Sequence, residues 1–251
     1  MRRGCGRVSC PRYIPTDISL PVLQPTDVEW EAISLSLRVA LLSVAASLPL
    51  GVAVAWLLAR RRFPGKPLVE GLVHLPLVVP PVVVGYGLLI LFGRRGPLGA
   101  WLHDYLGITL IFTWKGAALA AGVMGFPLMV QAIRLSIEAV DRKLEAAART
   151  LGAGPLGVFL TITLPLTLPG ILVGAVLAFA RSLGEFGATI IFVGNIPGQT
   201  RTIPIAIYTL TQQPEGDVAA LRLSLIALAL ALAALVASEF IARRIHHRIR
   251  G

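Results

Sequence analysis

Carboxylates are scarce in this chain of 251 residues: 13 Asp and Glu stand against 23 Lys and Arg, and charged residues make up only 14% of the whole. Soluble domains carry about a quarter charged residues. So low a share, with 55% hydrophobic residues and a mean hydropathy of +0.77, excludes an ordinary water-soluble globule and indicates a polytopic membrane protein. Cys5 and Cys10 have no second pair and no histidine at ligand spacing, which excludes a zinc site and a disulfide framework. No Gly-x-x-x-x-Gly-Lys-Ser/Thr loop occurs, so the chain has no phosphate-binding loop for ATP. A Ser/His/Asp constellation, a metal-ligand helix and a carboxylate pair placed for acid–base work are equally missing. The chain is therefore read as a non-enzyme that binds no metal and no cofactor of its own. Its net charge of +10 does not indicate nucleic acid, because the cations gather at the ends of apolar runs instead of interleaving with aromatics.

What is present divides into an all-α chain of about five membrane spans. Residues 1–25 hold four arginines and four prolines but no apolar core, and are expected to be a disordered tail. Thr26 and Glu29 then form a Thr-x-x-Glu capping box that opens the membrane domain, expected over 26–244. The first span, 33–59, ends in Arg60, Arg61, Arg62 and Lys66, a cation cluster that marks the cytoplasm. The second, 67–92, contains Pro76, Pro80, Pro81, Gly85 and Gly87, so its helix has to kink. That kink either lines a permeation path or is a static bend, and His74 within it reads as a packed or snorkelling residue. Residues 93–115 fit an outer loop with a short interfacial stretch, and the third span, 116–137, leads back to Arg142, Lys143 and Arg149. The fourth is expected over 166–193 and the fifth over 218–242, with a basic cytoplasmic tail at 245–251. Five spans with the 138–165 loop inside place the N-terminus outside, against the arginines of the tail. Either that tail is absent from the protein as made in the cell, or it is too long to decide topology.

Two features of the fourth span stand out. Gly170, Gly174 and Ala178 form a small-residue stripe, suited to a contact across a dimer axis or to packing within the chain. Arg181 and Glu185, four residues apart, can pair on one helix face, and ionisable groups within a span are functional suspects. With Ser182 and Thr189 they are the candidate pathway or gate residues. Outside the membrane, a turn and a short helix at 205–212 follow Asn195, Arg201 and Thr202, the candidate contacts for an anion-carrying partner.

The stretch 143–165, KLEAAARTLGAGPLGVFLTITLP, is the one long amphiphilic island. Its Ala-rich first half should be helical, and Gly152, Gly154 and Pro155 break that helix. Leu144, Ala147, Ala148 and Leu151 recur at helical spacing, forming either a docking face or an ordinary amphipathic loop helix. The stretch resembles the "EAA" loop of ABC importer permeases, which runs Glu-Ala-Ala, three residues, Gly, nine residues, Ile, one residue, Leu-Pro. Gly152, Ile162, Leu164 and Pro165 are in register. The glutamate is one position early, at Glu145 where the pattern expects it at 146, so the resemblance carries no salt bridge over to it. The resemblance implies a type I importer permease fold and a coupling helix that docks on an ATP-hydrolysing subunit. The coupling residues it implies are Glu145, Ala146, Ala147, Arg149, Leu151, Gly152 and Ala153.

The run from 179 to 210, with Gly-Glu-Phe-Gly-Ala-Thr at 184–189, Asn-Ile-Pro-Gly at 195–198 and Thr-Arg-Thr-Ile-Pro at 200–204, is similar to the molybdate/tungstate permeases. Sulfate permeases share Gly-Glu-x-Gly and then diverge. This resemblance implies a homodimer in a prokaryotic cell membrane, a pair of ATPase subunits holding ATP-Mg, and an extracytoplasmic oxyanion-binding protein. Two readings compete: a sulfate, thiosulfate or phosphate ABC permease of the same architecture, against which the 195–204 run speaks, and an ATP-independent secondary transporter, which commonly shows an internal repeat, with none evident between the halves.

Overall fold

Within a bilayer each backbone N–H and C=O has to be satisfied inside its own helix, so long apolar runs fold as helices and breaks have to be stabilised by neighbours. The computed structural model describes the backbone of residues 26–250 and the side chains of 26–237, 239 and 240. The 1–25 tail with Cys5 and Cys10 lies outside the described residues. Helix α1 (Asp27–Arg60) opens at the expected cap, where the Thr26 N–H donates to Glu29 Oε2 at 2.6 Å. The expected kinked second span is two helices, α2 (Lys66–Val78) and α3 (Pro81–Phe92), bent by 115°. Pro80 and Pro81 explain the break, since neither donates an N–H and each pushes its predecessor out of the helical region. The interfacial stretch is α4 (Pro97–Leu106), followed by α5 (Trp114–Glu138) and the short α6 (Arg142–Thr150).

The fourth span differs from the expected 166–193 at both ends. It begins as α7 (Pro155–Val158), passes through a π-turn (Phe159–Thr163) into α8 (Leu164–Leu183), and stops there. A separate α9 (Gly187–Val193) follows, then α10 (Ile203–Thr211) and α11 (Asp217–Arg250). The π-turn absorbs one extra residue, and residues 155–165 of the loop expected over 138–165 are in fact helix continuous with the span. α11 likewise continues through the expected tail as far as Arg250. Four of these helical segments are long and apolar enough to cross a membrane, and the bent α2–α3 pair makes a fifth.

α5 is the hub. Its Ala117, Ala118, Ala120 and Ala121 are buried against Leu35 and Val39 of α1, Leu88 of α3 and Phe192 of α9. Farther along, Met129, Val130 and Ile133 pack with Leu58 of α1 and Ile171 and Ala178 of α8. Lipid tails are as apolar as leucine, so such contacts depend on close approach rather than on expulsion of water. The small-residue stripe serves that end within the chain and not across a dimer axis: a Cβ on Gly170 would run into Ser136 of α5, and one on Gly174 would lie 2.9 Å from the Met129 carbonyl. Polar ties fix the ends. Glu29 Oε1 accepts from Arg222 of α11 at 2.6 Å, and the N–H of Ile203, at the start of α10, donates to Ser36 Oγ of α1 at 2.7 Å. Arg134 of α5 bridges Glu138 and Glu70 of α2, each at 2.8 Å.

Gly170→Ala should destabilise the detergent-solubilised protein by about 2 kcal/mol, the usual cost of overpacking. Gly71→Ala, whose Cβ would meet nothing within 4 Å, should not lower the thermal midpoint. Equal midpoints for the two variants would contradict this α5–α8 contact.

Candidate functional site

α6 is short, Ala-rich and capped at both ends. The Asp141 carboxylate accepts the Lys143 N–H at 2.9 Å. At the other end the Gly152 N–H donates to the Arg149 carbonyl at 3.0 Å, and the φ of +89° at Gly152 turns the chain so that the Ala153 N–H reaches the Ala148 carbonyl at 3.1 Å. A Cβ at 152 would meet nothing, so the demand for glycine comes from the backbone and not from space. One face of α6 is uncovered: Leu151 is 89% exposed, Leu144 50%, and Ala147 is exposed between them. Ala148, expected on that face, is half-buried.

The opposite face is anchored. Glu145 is buried, and its Oε1 lies 2.8 Å from Arg60 Nη2 and accepts the Thr163 hydroxyl at 2.9 Å. The same guanidinium donates to the Val140 carbonyl at 3.3 Å. The displaced glutamate thus has an ion-pair partner inside its own chain, on α1, and a hydroxyl partner in the π-turn. Arg60 was legible only as one of a run of cations, and nothing local marks Thr163. Ala146, Arg149 and Ala153 line the space behind the helix.

A second cluster lies where α8 stops. Arg181 Nη1 and Glu185 Oε2 are 2.6 Å apart, so the expected pair is made, but not on one helix face: α8 ends at Leu183 and Glu185 reaches back from the break. Glu185 is 2% exposed, and its other oxygen accepts the Ala188 N–H at 2.8 Å, capping α9. Ser182 Oγ is 3.1 Å from Ser43 Oγ of α1, a contact the sequence did not signal. Thr189 is buried on α9. Of these four, Arg181 alone keeps substantial side-chain exposure, 27%. The α2–α3 break meets the same place. A Cβ on Gly187 would lie 2.8 Å from Pro81 Cβ, and one on Gly85 2.6 Å from the Ala188 carbonyl. Two interrupted helices therefore cross with their breaks in contact.

At the far end from α6, the 194–202 loop folds on itself. Asn195 Oδ1 accepts from Arg201 Nε at 2.8 Å, and Asn195 Nδ2 donates to Thr209 Oγ1 at 2.9 Å. Arg201 also borders a cavity of about 820 Å³ with Glu29, Thr209 and Gln213. Thr202 is only 5% exposed because it starts α10, so it is not part of the outer surface as expected. Among the described residues no three His, Cys, Asp or Glu side chains converge as metal ligands.

A bundle of this kind, with a short glycine-terminated helix projecting from one end, has the fold of the membrane subunit of a type I ABC importer. The chain superposes on the bacterial alginate ABC transporter, solved in complex with its alginate pentasaccharide-bound periplasmic protein, with a TM-score of 0.71 over 93% of this chain and 84% of that one. The identity is 21%, so this likeness is one of fold. The chain belongs to the family of binding-protein-dependent transport system inner membrane components, whose pattern matches residues 47–251. It is 65% identical over 218 residues to the molybdenum transport system permease protein ModB of Escherichia coli (strain K12), covering 87% of this chain and 95% of that protein. To the ModB of Haemophilus influenzae it is 54% identical over 222 residues, covering 88% and 97%.

Glu145→Gln leaves the Arg60 charge buried without a counter-charge and should cost about 3 kcal/mol. Arg60→Met combined with Glu145→Leu should recover most of that loss, because no charge is then left unpaired; thermal melts of the single and double variants complete the cycle. Gly152→Ala should raise proteolytic cleavage of the 151–155 segment, since a left-handed alanine costs about 1–2 kcal/mol.

Proposed function

We propose that this chain forms the translocation path of an ATP-driven importer for molybdate and tungstate, acting as a homodimer with two ATPase subunits and an extracytoplasmic binding protein. One observation carries the coupling part of that reading: α6 is bolted from behind by Arg60, Glu145 and Thr163 while its Leu144, Ala147 and Leu151 face stays uncovered. An apolar helical face held rigidly away from its own domain suits insertion into a groove of another protein. The end that carries α6 is the cytoplasmic one, because Arg60, Arg61, Arg62, Lys66, Arg142, Lys143 and Arg149 gather there. ATP-Mg is held by the partner.

Force applied to α6 has two rigid exits. One runs through Arg60 into α1, the other through Thr163 and the π-turn into α8. α8 ends at the crossing of the two helix breaks, so tilting it alters the ground on which Arg181 and Glu185 meet. Rocking of one copy against the other then opens the path to alternate sides. A doubly charged oxyanion has to pass without a deep cationic trap, because tight binding would block release; the pairing of Arg181 with Glu185 moderates its charge. The substrate rests on the similarity to the two molybdenum permeases. The Asn195–Arg201 loop beside the 820 Å³ cavity is the surface offered to the binding protein.

Leu151→Asp tests the reading. Reconstituted with its ATPase and binding protein, this variant should still insert but lose molybdate uptake and binding-protein-stimulated hydrolysis more than tenfold, while tungstate and not sulfate competes with uptake by the wild type. Undiminished molybdate flux without ATPase would make the chain a secondary carrier, and efficient competition by sulfate would assign it to the sulfate branch.

A further inference from the structure

Behind α6 lies a cleft of about 730 Å³, bounded by the end of α1, the anchored face of α6 and the α7–π-turn segment. We propose that this cleft binds the phosphate of an anionic phospholipid headgroup, seating the coupling helix on lipid. The proposal rests on the cytoplasmic placement of α6 in the reading above, and not on which ion is transported.

Charge is the first reason. Arg60 and Glu145 neutralise each other, but Arg61, Arg142 and Arg149 also line the cleft, and none of the ion pairs seen among the described residues involves them. Three uncompensated guanidiniums around one cavity favour an anion with several oxygens. Arg60 belongs to the same basic group: it borders the cleft, with its side chain 9% exposed.

The shape of the site points to a lipid. Arg142, Glu145, Ala146 and Arg149 recur at i, i+3, i+4 and i+7, on the side of α6 opposite Leu144, Ala147 and Leu151. The cleft thus lies opposite the Leu144, Ala147 and Leu151 face proposed to dock on the ATPase, although Glu145, Ala146, Arg149 and Ala153, four of the coupling residues that the resemblance implies, line it. Its rim is aromatic: the Arg61 guanidinium sits 5.6 Å from the Trp56 ring, which meets Phe159 edge-on at 6.0 Å. Tryptophan favours the headgroup level of a bilayer. Leu57 and Leu160, next to these rings in sequence, are exposed and continue the apolar surface towards lipid. A free inorganic anion gains nothing from such a rim, whereas acyl chains below a headgroup would cover it.

The test uses the assembled transporter in phosphatidylcholine vesicles with and without phosphatidylglycerol. Native mass spectrometry reads the phosphatidylglycerol retained after extraction. The wild type should retain it, Arg61→Gln with Arg142→Gln should weaken retention by about 25-fold, at roughly fivefold for each basic residue facing an anionic surface, and the corresponding double Lys variant should recover most of it. Hydrolysis in pure phosphatidylcholine should match between wild type and the Gln variant, which separates loss of this site from loss of coupling. Equal retention in both proteins overturns the proposal. So does displacement of the lipid by millimolar phosphate or molybdate, which would make this a free-anion site, or retention only after the ATPase is stripped from the assembled transporter, which would make the cleft a protein interface.

Discussion

A carboxylate buried at the edge of a membrane domain persists only if a cation and further donors take the place of the water it has lost, and Glu145 has both in Arg60 and the Thr163 hydroxyl. Because those partners belong to α1 and to the π-turn before α8, the pair sets the orientation of α6 against two membrane helices at once. The outward face of Leu144, Ala147 and Leu151 follows from it, as does the basic cleft on the opposite side. Without this contact α6 would be a helix of nine residues followed by a glycine-rich joint, too short to keep a direction by itself.

The membrane domain is otherwise held by proximity. α5 offers alanine after alanine to α1, and Gly170 and Gly174 let α8 come close enough for backbone contact. Where helices stop, side chains complete the backbone: Glu185 caps α9, and Ser36 serves the first turn of α10 from another helix. The α2–α3 and α8–α9 breaks touch where they cross, and the partly exposed Arg181 stands beside them. In the proposed mechanism, α6 at one end and this crossing at the far end of α8 would form a single mechanical line.

Features confined to a few neighbouring residues were legible in the chain itself. Thr26 and Glu29 announced the start of α1, the proline run at 76–81 the broken second span, Gly152 the end of α6, and the apolar runs the number of crossings, because caps, breaks and helical periodicity are set within one or two turns. The pairing of Arg181 with Glu185 was legible too, although its geometry was not: Gly184 ends the helix between them, and the other carboxylate oxygen accepts the Ala188 N–H at the start of α9.

What only the tertiary structure decided was who meets whom across the bundle. Glu29 finds Arg222 at 193 residues' distance, Ser36 the N–H of Ile203 at 167, Ser43 the hydroxyl of Ser182 at 139, and Thr202 turns inward because α10 starts there. The sequence determined that this is a helical membrane chain with a projecting, glycine-ended helix, because those properties follow from local composition and backbone preference. That Glu145 faces Arg60, that the small-residue stripe serves α5, and that two helix breaks touch were settled by packing, since close approach in lipid depends on the shapes of whole helices brought together and leaves no periodic trace in either one.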